Sequence, residues 1–418
     1  MLKILKNTVI VNLLLFLGLF LCSCSDNSSK NTENGKIVLK LGGWYTIQAL
    51  DATQKKIDQY NKENPDVEVK VVAYSSATSY FQNLQGQIAS KTAPDMLLLE
   101  PNIFQMLYKN HAIISLDEYI KKVGYKTGDI YKALLDGYMI DGKLYAIPSD
   151  FNMLALYYNK DMLDKTGLNV PETYEELRST AKKLTTNNVY GLNINPLIGR
   201  IMPFIEAFGG EIISGSGNLQ INTKGKAEGI KFIMDMYNKD KSAVTCKVLG
   251  DGWTGDTFGK QKAAMAVEGT WMIGYLRNNI KGFKWGIAPM PAEKGKAPQL
   301  MFSGAYAVPV CSKHPLEAVK FLKWYLAPEN VFEGFLAGSQ SIPVQKSYKS
   351  KVIKKFPELK ELLDKTQNAS MYSFGKAGKK FEDYINNILE ILAYMPEKDS
   401  LKNIQNELDQ VQSRFELQ

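Results

Sequence analysis

Apolar and polar positions follow one another along this chain in a regular succession. In IVLKL (37–41), Ile37, Leu39 and Leu41 recur at period two, which predicts a strand ending at Gly42-Gly43. Ile47, Leu50, Ile57 and Tyr60 then recur at helical spacing over 46–62, ahead of the breaker NPD. VEVKVVA (67–73) alternates again, Phe81, Leu84 and Ile88 mark a second helix, and MLLL (96–99) is a continuous apolar run. Strand, helix, strand, helix, buried strand predicts an α/β sheet with parallel pairing.

The pattern closes around DGKLYAIPSD (141–150) and restarts at LALYYN (154–159). Thr173 and Glu176 form a capping box ahead of Leu177, Ala181 and Leu184. Ile230, Ile233 and Tyr237 share one face of a helix over 225–238. AAMAV (263–267), WGIAP (285–289) and YAVPV (306–310) predict strands, and PLEAVKFLKWYL (315–326) an amphipathic helix stopped by Pro328. From Leu359 onward the spacing predicts helices and little else. The restart in mid-chain divides the sequence into two α/β lobes of comparable size, and there are no internal repeats.

The amino end adds an address. Lys3 and Lys6 precede an apolar stretch from Val9 to Leu21, short for a membrane span and suited to a signal peptide. Leu21-Cys22-Ser23-Cys24 resembles the bacterial lipobox, so cleavage after Ser23 leaves Cys24 as a lipidated terminus. Cys22 is the poorer candidate because bulky Leu21 precedes it. An ordinary secretory signal with two incidental cysteines is the alternative. Residues 25–36 are polar and aperiodic, a flexible tether.

The 418 residues carry a formal charge of +8, nearly all of the positive charge being lysine. Arginine occurs only at 178, 200, 277 and 414, and the lysines are dispersed. Nucleic acid is therefore not an expected partner, since its binders cluster arginine against phosphate. With His111 and His314 alone, a histidine metal site and Ser-His-Asp or Cys-His catalysis are not expected either. His314, just before Pro315, suits a capping or exposed place. Cys246 and Cys311 could pair in an oxidising compartment, but the sequence does not bring them together.

Two near-motifs for phosphate fail. Gly137 to Lys143 has the spacing G-x-x-x-x-G-K, but Leu144 replaces the hydroxyl residue and a strand-like LYAIP follows. In GKQKAAMAVEGTW (259–271) the Gly-Lys pair lacks its leading glycine, Thr254 standing there. Lys260 and Lys262 are expected on a solvated turn, with Trp271 as first residue of a helix. Paired carboxylates of a glycoside hydrolase stay open, because any two can meet in a fold.

Aromatic and polar residues gather after strand ends. Trp44-Tyr45 follows the first strand, Glu100 follows MLLL, and Asp150 and Asn152 lie between the two lobe patterns. Ligands of open α/β sheets bind at the carboxyl ends of strands. A sugar stacks its C–H face on an aromatic ring and exchanges hydrogen bonds with carboxylates and amides. Core packing is the ordinary role of a single aromatic; position favours the ligand here.

APDMLLLE (93–100), DGKLYAIPSDFNMLALYYNKDMLDKTGL (141–168), PETYEEL (171–177), FIEAFGGE (204–211), GDTFGKQKAAMAVEGTW (255–271), WGIAPMP (285–291) and SKHPLEAVKFLKWYL (312–326) stand in an order that resembles the family 1 extracellular solute-binding proteins. These are the sugar-binding components of bacterial ABC importers. The resemblance implies a two-lobed periplasmic-binding-protein fold, type II-like. After a signal peptide (1–23) and tether (24–36), it implies an N-terminal lobe of 37–148 and 291–326 and a C-terminal lobe of 149–290 and 327–418 with a helical tail. Ligand lies between the lobes, hinge closure follows, and the closed form docks on a permease driven by a cytoplasmic ATPase. It implies no catalysis and no cofactor, and a monomer anchored outside the cytoplasm through Cys24.

By the same resemblance Trp271 stacks on a sugar ring, and Asp150 and Asn152 bind hydroxyls. Trp44 and Glu100 face the cleft from the first lobe. Trp253, Ser303 and Tyr372 match by position in loops that vary. Pro94 and Asp95 match a structural pair at a strand entry. Phe204 and Phe208 stand where relatives often carry tryptophan, leaving the number of sugar rings open. Relatives that take glycerol phosphate or another small anion need a cationic group, for which Arg200 or Arg277 is placed.

Overall fold

The computed structural model describes residues 32–416 apart from 34, 46, 215–216, 294, 296–297 and 335–341. The expected signal peptide, Cys24 and most of the tether lie outside the described residues.

Strands β1 (Lys36–Trp44), β2 (Val67–Tyr74) and β3 (Met96–Leu99) alternate with helices α1 (Ile47–Glu63) and α2 (Ala77–Ala89). β1 pairs in parallel with both β2 and β3. Each parallel pairing needs a crossover, and the two helices supply it while covering the sheet. Asp95 ties the entry of β3 to its surroundings, accepting from Lys40 N at 2.9 Å and from the Ser312 hydroxyl at 2.7 Å. Helix α3 (Pro101–Lys109) then leaves the carboxyl end of β3.

The next strand, β4 (Ala146–Asn159), is a single run of 14 residues where the sequence suggests a closure and a restart. Polar Ser149, Asp150 and Asn152 break the apolar pattern without breaking the strand. The sheet also holds β5 (Tyr190–Asn193), β6 (Ala263–Gly269), β7 (Trp285–Ala288), β8 (Gln299–Ala307) and β9 (Ala369–Met371), with two-residue strands at Thr32–Glu33 and Ala243–Val244 on its margins. The first part of β4 pairs antiparallel with β8, and the second part with β6 and β7. Since β8 also pairs with β3, one mixed sheet of 11 strands runs through both halves of the molecule.

Helices beyond β4 include α4 (Tyr174–Leu184), α5 (Ile198–Gly209), α6 (Lys224–Asn238), α7 (Met272–Asn279), α8 (Pro315–Tyr325), α9 (Pro328–Gly334), α10 (Gly378–Tyr394) and α11 (Leu401–Glu416). The capping box of α4 is formed. Thr173 Oγ accepts from Glu176 N, and Glu176 Oε2 accepts from Thr173 N, both at 3.1 Å. One apolar cluster joins β1–β3 to α8, and two more cover the part of the sheet built on β6. Phe204 and Phe208 belong to the first of these two and stack on Tyr174.

Several local expectations are corrected. The strand placed at 306–310 lies earlier, because Pro309 has no N–H to give a ladder and makes only an isolated bridge with Ile113. The carboxyl-terminal stretch is not purely helical, since β9 pairs with β8. Lys260 and Lys262 lie on the expected turn, Lys260 exposed and Lys262 half-buried, with an ion pair that the sequence did not show. Both ammonium groups converge on Asp251, whose side chain is 1% exposed. Cys246 and Cys311 are free thiols. GYMIDGK forms a tight hairpin, Met139–Ile140 against Lys143–Leu144, with Asp141 and Gly142 at φ of 50° and 74°. Positive φ at both central residues marks a two-residue hairpin turn, which has no helix amino end for a phosphate. Among the described residues no helix is long and apolar enough to cross a membrane.

Candidate functional site

A cavity of about 980 Å³ opens between the two halves of the sheet. It is lined by Trp44 and Glu100 from the first half and by Asp150, Asn152 and Ser303 from the two strands that run through both. Arg200, Trp271 and Tyr372 line it from the second half. Residues from 44 to 372 therefore meet at one place.

Trp44 closes β1, and its ring meets Phe81 edge-on at 5.2 Å. Across the β4–β8 ladder Asp150 stands opposite Gly304, and Ser303 opposite Phe151. Gly304 N donates to Asp150 Oδ1 at 3.3 Å, and the Ser303 hydroxyl donates to the Asp150 carbonyl at 2.8 Å. Asn152 accepts from the Thr270 hydroxyl at 2.9 Å, which ties β4 to the turn bearing Trp271. Trp271 is the cap residue of α7; the helix itself begins one position later than expected, at Met272. Gly269 is required there, because a Cβ would stand 2.3 Å from the indole.

The Trp271 ring meets Phe302 edge-on at 5.2 Å and carries the Arg200 guanidinium over a face at 5.1 Å. Arg200 in turn pairs with Glu268 at 2.5 Å. Glu268 is 3% exposed, so the Glu-Gly-Thr segment is a buried strand end rather than a surface turn. The cation that could serve an anionic ligand is already neutralised. Arg277, the other arginine considered, pairs with Glu358 at 2.6 Å and lies over Phe356, outside the cavity lining. Trp253 also stands outside that lining; its ring packs edge-on against Tyr275 at 4.9 Å.

The cavity also recruits a residue that sequence reasoning missed. Glu382, on α10, accepts from the Tyr372 hydroxyl at 2.8 Å and from Asn102 Nδ2 at 3.0 Å, and pairs with Lys379 at 3.3 Å. Its spacing from Lys379 signals only an ordinary helix-surface pair, so nothing in the sequence marked it. The Glu100 carboxyl, by contrast, has no such partners among the described residues. Burial pushes its pKa up to about 7, and the Glu382 carboxylate adds to this while Lys379 opposes it. Burial likewise pushes Glu206, a buried residue of α5, up to about 7.

These two groups predict a pH dependence. Each binds its proton more tightly folded than unfolded, so between the usual 4.5 and about 7 the native state holds the extra proton. Stability then falls as pH rises through that window. The unliganded protein is expected to melt higher at pH 5 than at pH 8, and Glu100→Gln with Glu206→Gln should flatten the profile. An unchanged slope in a fluorescence melt of the double variant would remove both groups as its source.

Comparison with known proteins gives a consistent answer. The profile of the bacterial extracellular solute-binding proteins matches residues 55–361. The galactooligosaccharide-binding protein of Bacillus subtilis is 25% identical over 359 residues, 82% of this chain and 82% of that protein. An ABC substrate-binding protein of Listeria monocytogenes, solved in complex with cycloalternan, superposes with a TM-score of 0.78 at 22% identity, covering 90% of this chain and 98% of that one. UgpB of Mycobacterium tuberculosis, in complex with glycerophosphocholine, gives a TM-score of 0.79 at 19% identity, with coverage of 90% and 98%. At these identities the two structures speak for the two-lobed α/β fold.

Proposed function

Because the chain belongs to the bacterial extracellular solute-binding proteins, we propose that it captures a sugar or oligosaccharide in the cleft and delivers it to the permease of an ABC importer. The observation that carries this reading is the lining itself. Two indoles, Trp44 and Trp271, share one cavity with Glu100, Asp150 and Asn152. Rings to stack on, with acceptors and amides beside them, suit a neutral polyol. The galactooligosaccharide-binding relative supports the same class.

The lobes of this proposal are 37–148 with 291–326 and 149–290 with 327–418, closing about the crossings near 149, 290 and 327. The ligand is bound by Trp271, Asp150, Asn152, Trp44, Glu100, Ser303 and Tyr372, with Arg200 holding Trp271. Trp253 supports Tyr275 at the rim. Cys24 anchors the protein to the membrane outside the cytoplasm, and the monomer works without catalysis or cofactor.

A small anion such as glycerol phosphate is the second reading, and the glycerophosphocholine complex of a structural neighbour favours it. Against it stands the Arg200–Glu268 pair, which leaves the cleft with Glu100, Asp150 and Glu382 against Lys56 as its remaining charged lining. A thermal-shift screen of mono- and oligosaccharides decides between them. A sugar at about 100 times its Kd should stabilise the native state by about 2.7 kcal/mol. Its affinity should change little with added salt; a steep loss would transfer the assignment to an anion.

A further inference from the structure

The cleft continues well beyond Trp271. Helix α7 leaves that residue and turns Gly274, Tyr275, Asn278 and Asn279 onto the cavity. The spacing i, i+1, i+4, i+5 is one face of a helix. At 1.5 Å per residue this face runs for about 12 Å from Trp271 to Asn279. Across the cavity, α1 offers Ala49, Ala52, Thr53 and Lys56, spaced i, i+3, i+4 and i+7, a stripe about 10 Å long.

The two stripes bound a trough. Ala49, Ala52 and Gly274 keep its walls low, and its polar groups are the Asn278 and Asn279 side-chain amides, the Thr53 hydroxyl and the Lys56 ammonium. Lys56 gives one proton to the Asn330 carbonyl. No carboxylate belongs to either stripe. Toward α3 and α10 the character reverses, because there the cavity is lined by the carboxyl groups of Glu100 and Glu382. A pyranose stacked on Trp271 is shorter than the trough and leaves its far end unfilled. The whole volume, about 980 Å³, stands at the top of the range of about 300–1,000 Å³ usual for small-molecule sites.

We propose that the cleft takes a linear oligosaccharide longer than a disaccharide, with an internal ring on Trp271, one end beside Glu100 and Glu382, and the other in the trough between α1 and α7. The inference rests on the sugar reading above and adds the length and the placement. Its two ends differ in charge, carboxyl groups lining one and the Lys56 ammonium the other.

The test is calorimetric titration of the full chain with glucose, maltose, maltotriose and maltotetraose, and with the corresponding manno- and galacto-oligosaccharide series. In the series that binds, affinity should rise by about tenfold or more from the disaccharide to the trisaccharide. Ala52→Phe, which fills the trough from the half-buried face of α1, should remove that gain and leave disaccharide affinity within about twofold. The exposed pair Asn278→Ala with Asn279→Ala, chosen to spare the fold, should reduce the gain in the same way. A monosaccharide binding as tightly as the longer chains, or variants that weaken disaccharide and trisaccharide alike, would overturn the length and leave the sugar reading intact. Failure of every saccharide at every length would sink both.

Discussion

Replacing Trp271 with alanine is expected to weaken ligand binding by about 30-fold to 1,000-fold, or about 2–4 kcal/mol, which is the range of a central aromatic anchor. The ring is only half-buried, packs edge-on against Phe302 and lies under the Arg200 guanidinium. Its removal takes away the stacking surface and loosens the guanidinium beside it. It leaves the three apolar clusters intact, since Trp271 belongs to none of them. The unliganded variant should therefore melt within a few degrees of the parent, while the shift caused by a bound sugar disappears. Trp271→Phe should recover part of the affinity, because a smaller ring still stacks. A Trp271→Ala protein that binds with the parent's affinity would take the residue out of the site.

The second large effect is on the fold, at Glu268. Glu268→Ala is expected to cost about 3 kcal/mol, because a buried pair broken on one side leaves the other charge without compensation. Arg200 already has a buried Nε with no hydrogen-bond partner among the described residues, so it has little to fall back on. Glu268 also accepts from Gly269 N at 2.9 Å, a bond lost in the same change. The paired replacement Arg200→Met with Glu268→Leu should come within about 1 kcal/mol of the parent, since exchanging both partners for apolar groups removes the desolvation penalty with the attraction. Melting temperatures of parent, single and double variants test this. A single variant no worse than the double would mean that the pair is not what holds this corner of the cleft.

Sequence reasoning reached most of the cleft but stopped at different depths for different residues. Trp44, Glu100 and Trp271 were legible because each follows a strand end, and strand ends converge in an α/β sheet whatever the details. Asp150 and Asn152 were legible as polar residues between two patterns, although the break they suggested is a continuous strand. Glu382 was not legible. It sits in the helical tail, and only the packing of α10 on α3 brings it to Asn102. Trp253 lay in the right stretch of sequence and yet stands outside the cavity lining, because its ring is taken by Tyr275.

Periodicity determined the alternating strands and helices and the parallel first half, while missing motif residues, Leu144 and Thr254 standing in the wrong places, rejected both phosphate-loop near-motifs. These depend on local backbone geometry, which a few neighbouring residues dictate. Only the tertiary structure decided that Arg200 is spent on Glu268, that Lys260 and Lys262 converge on Asp251, and that α1 and α7 both line the cleft. Each of these joins residues far apart along the chain or buries a charge, and their energies depend on burial and distance. For GKQKAAMAVEGTW the division is plain: spacing identified the strand, and folding decided that its glutamate grips an arginine while its tryptophan faces the cleft.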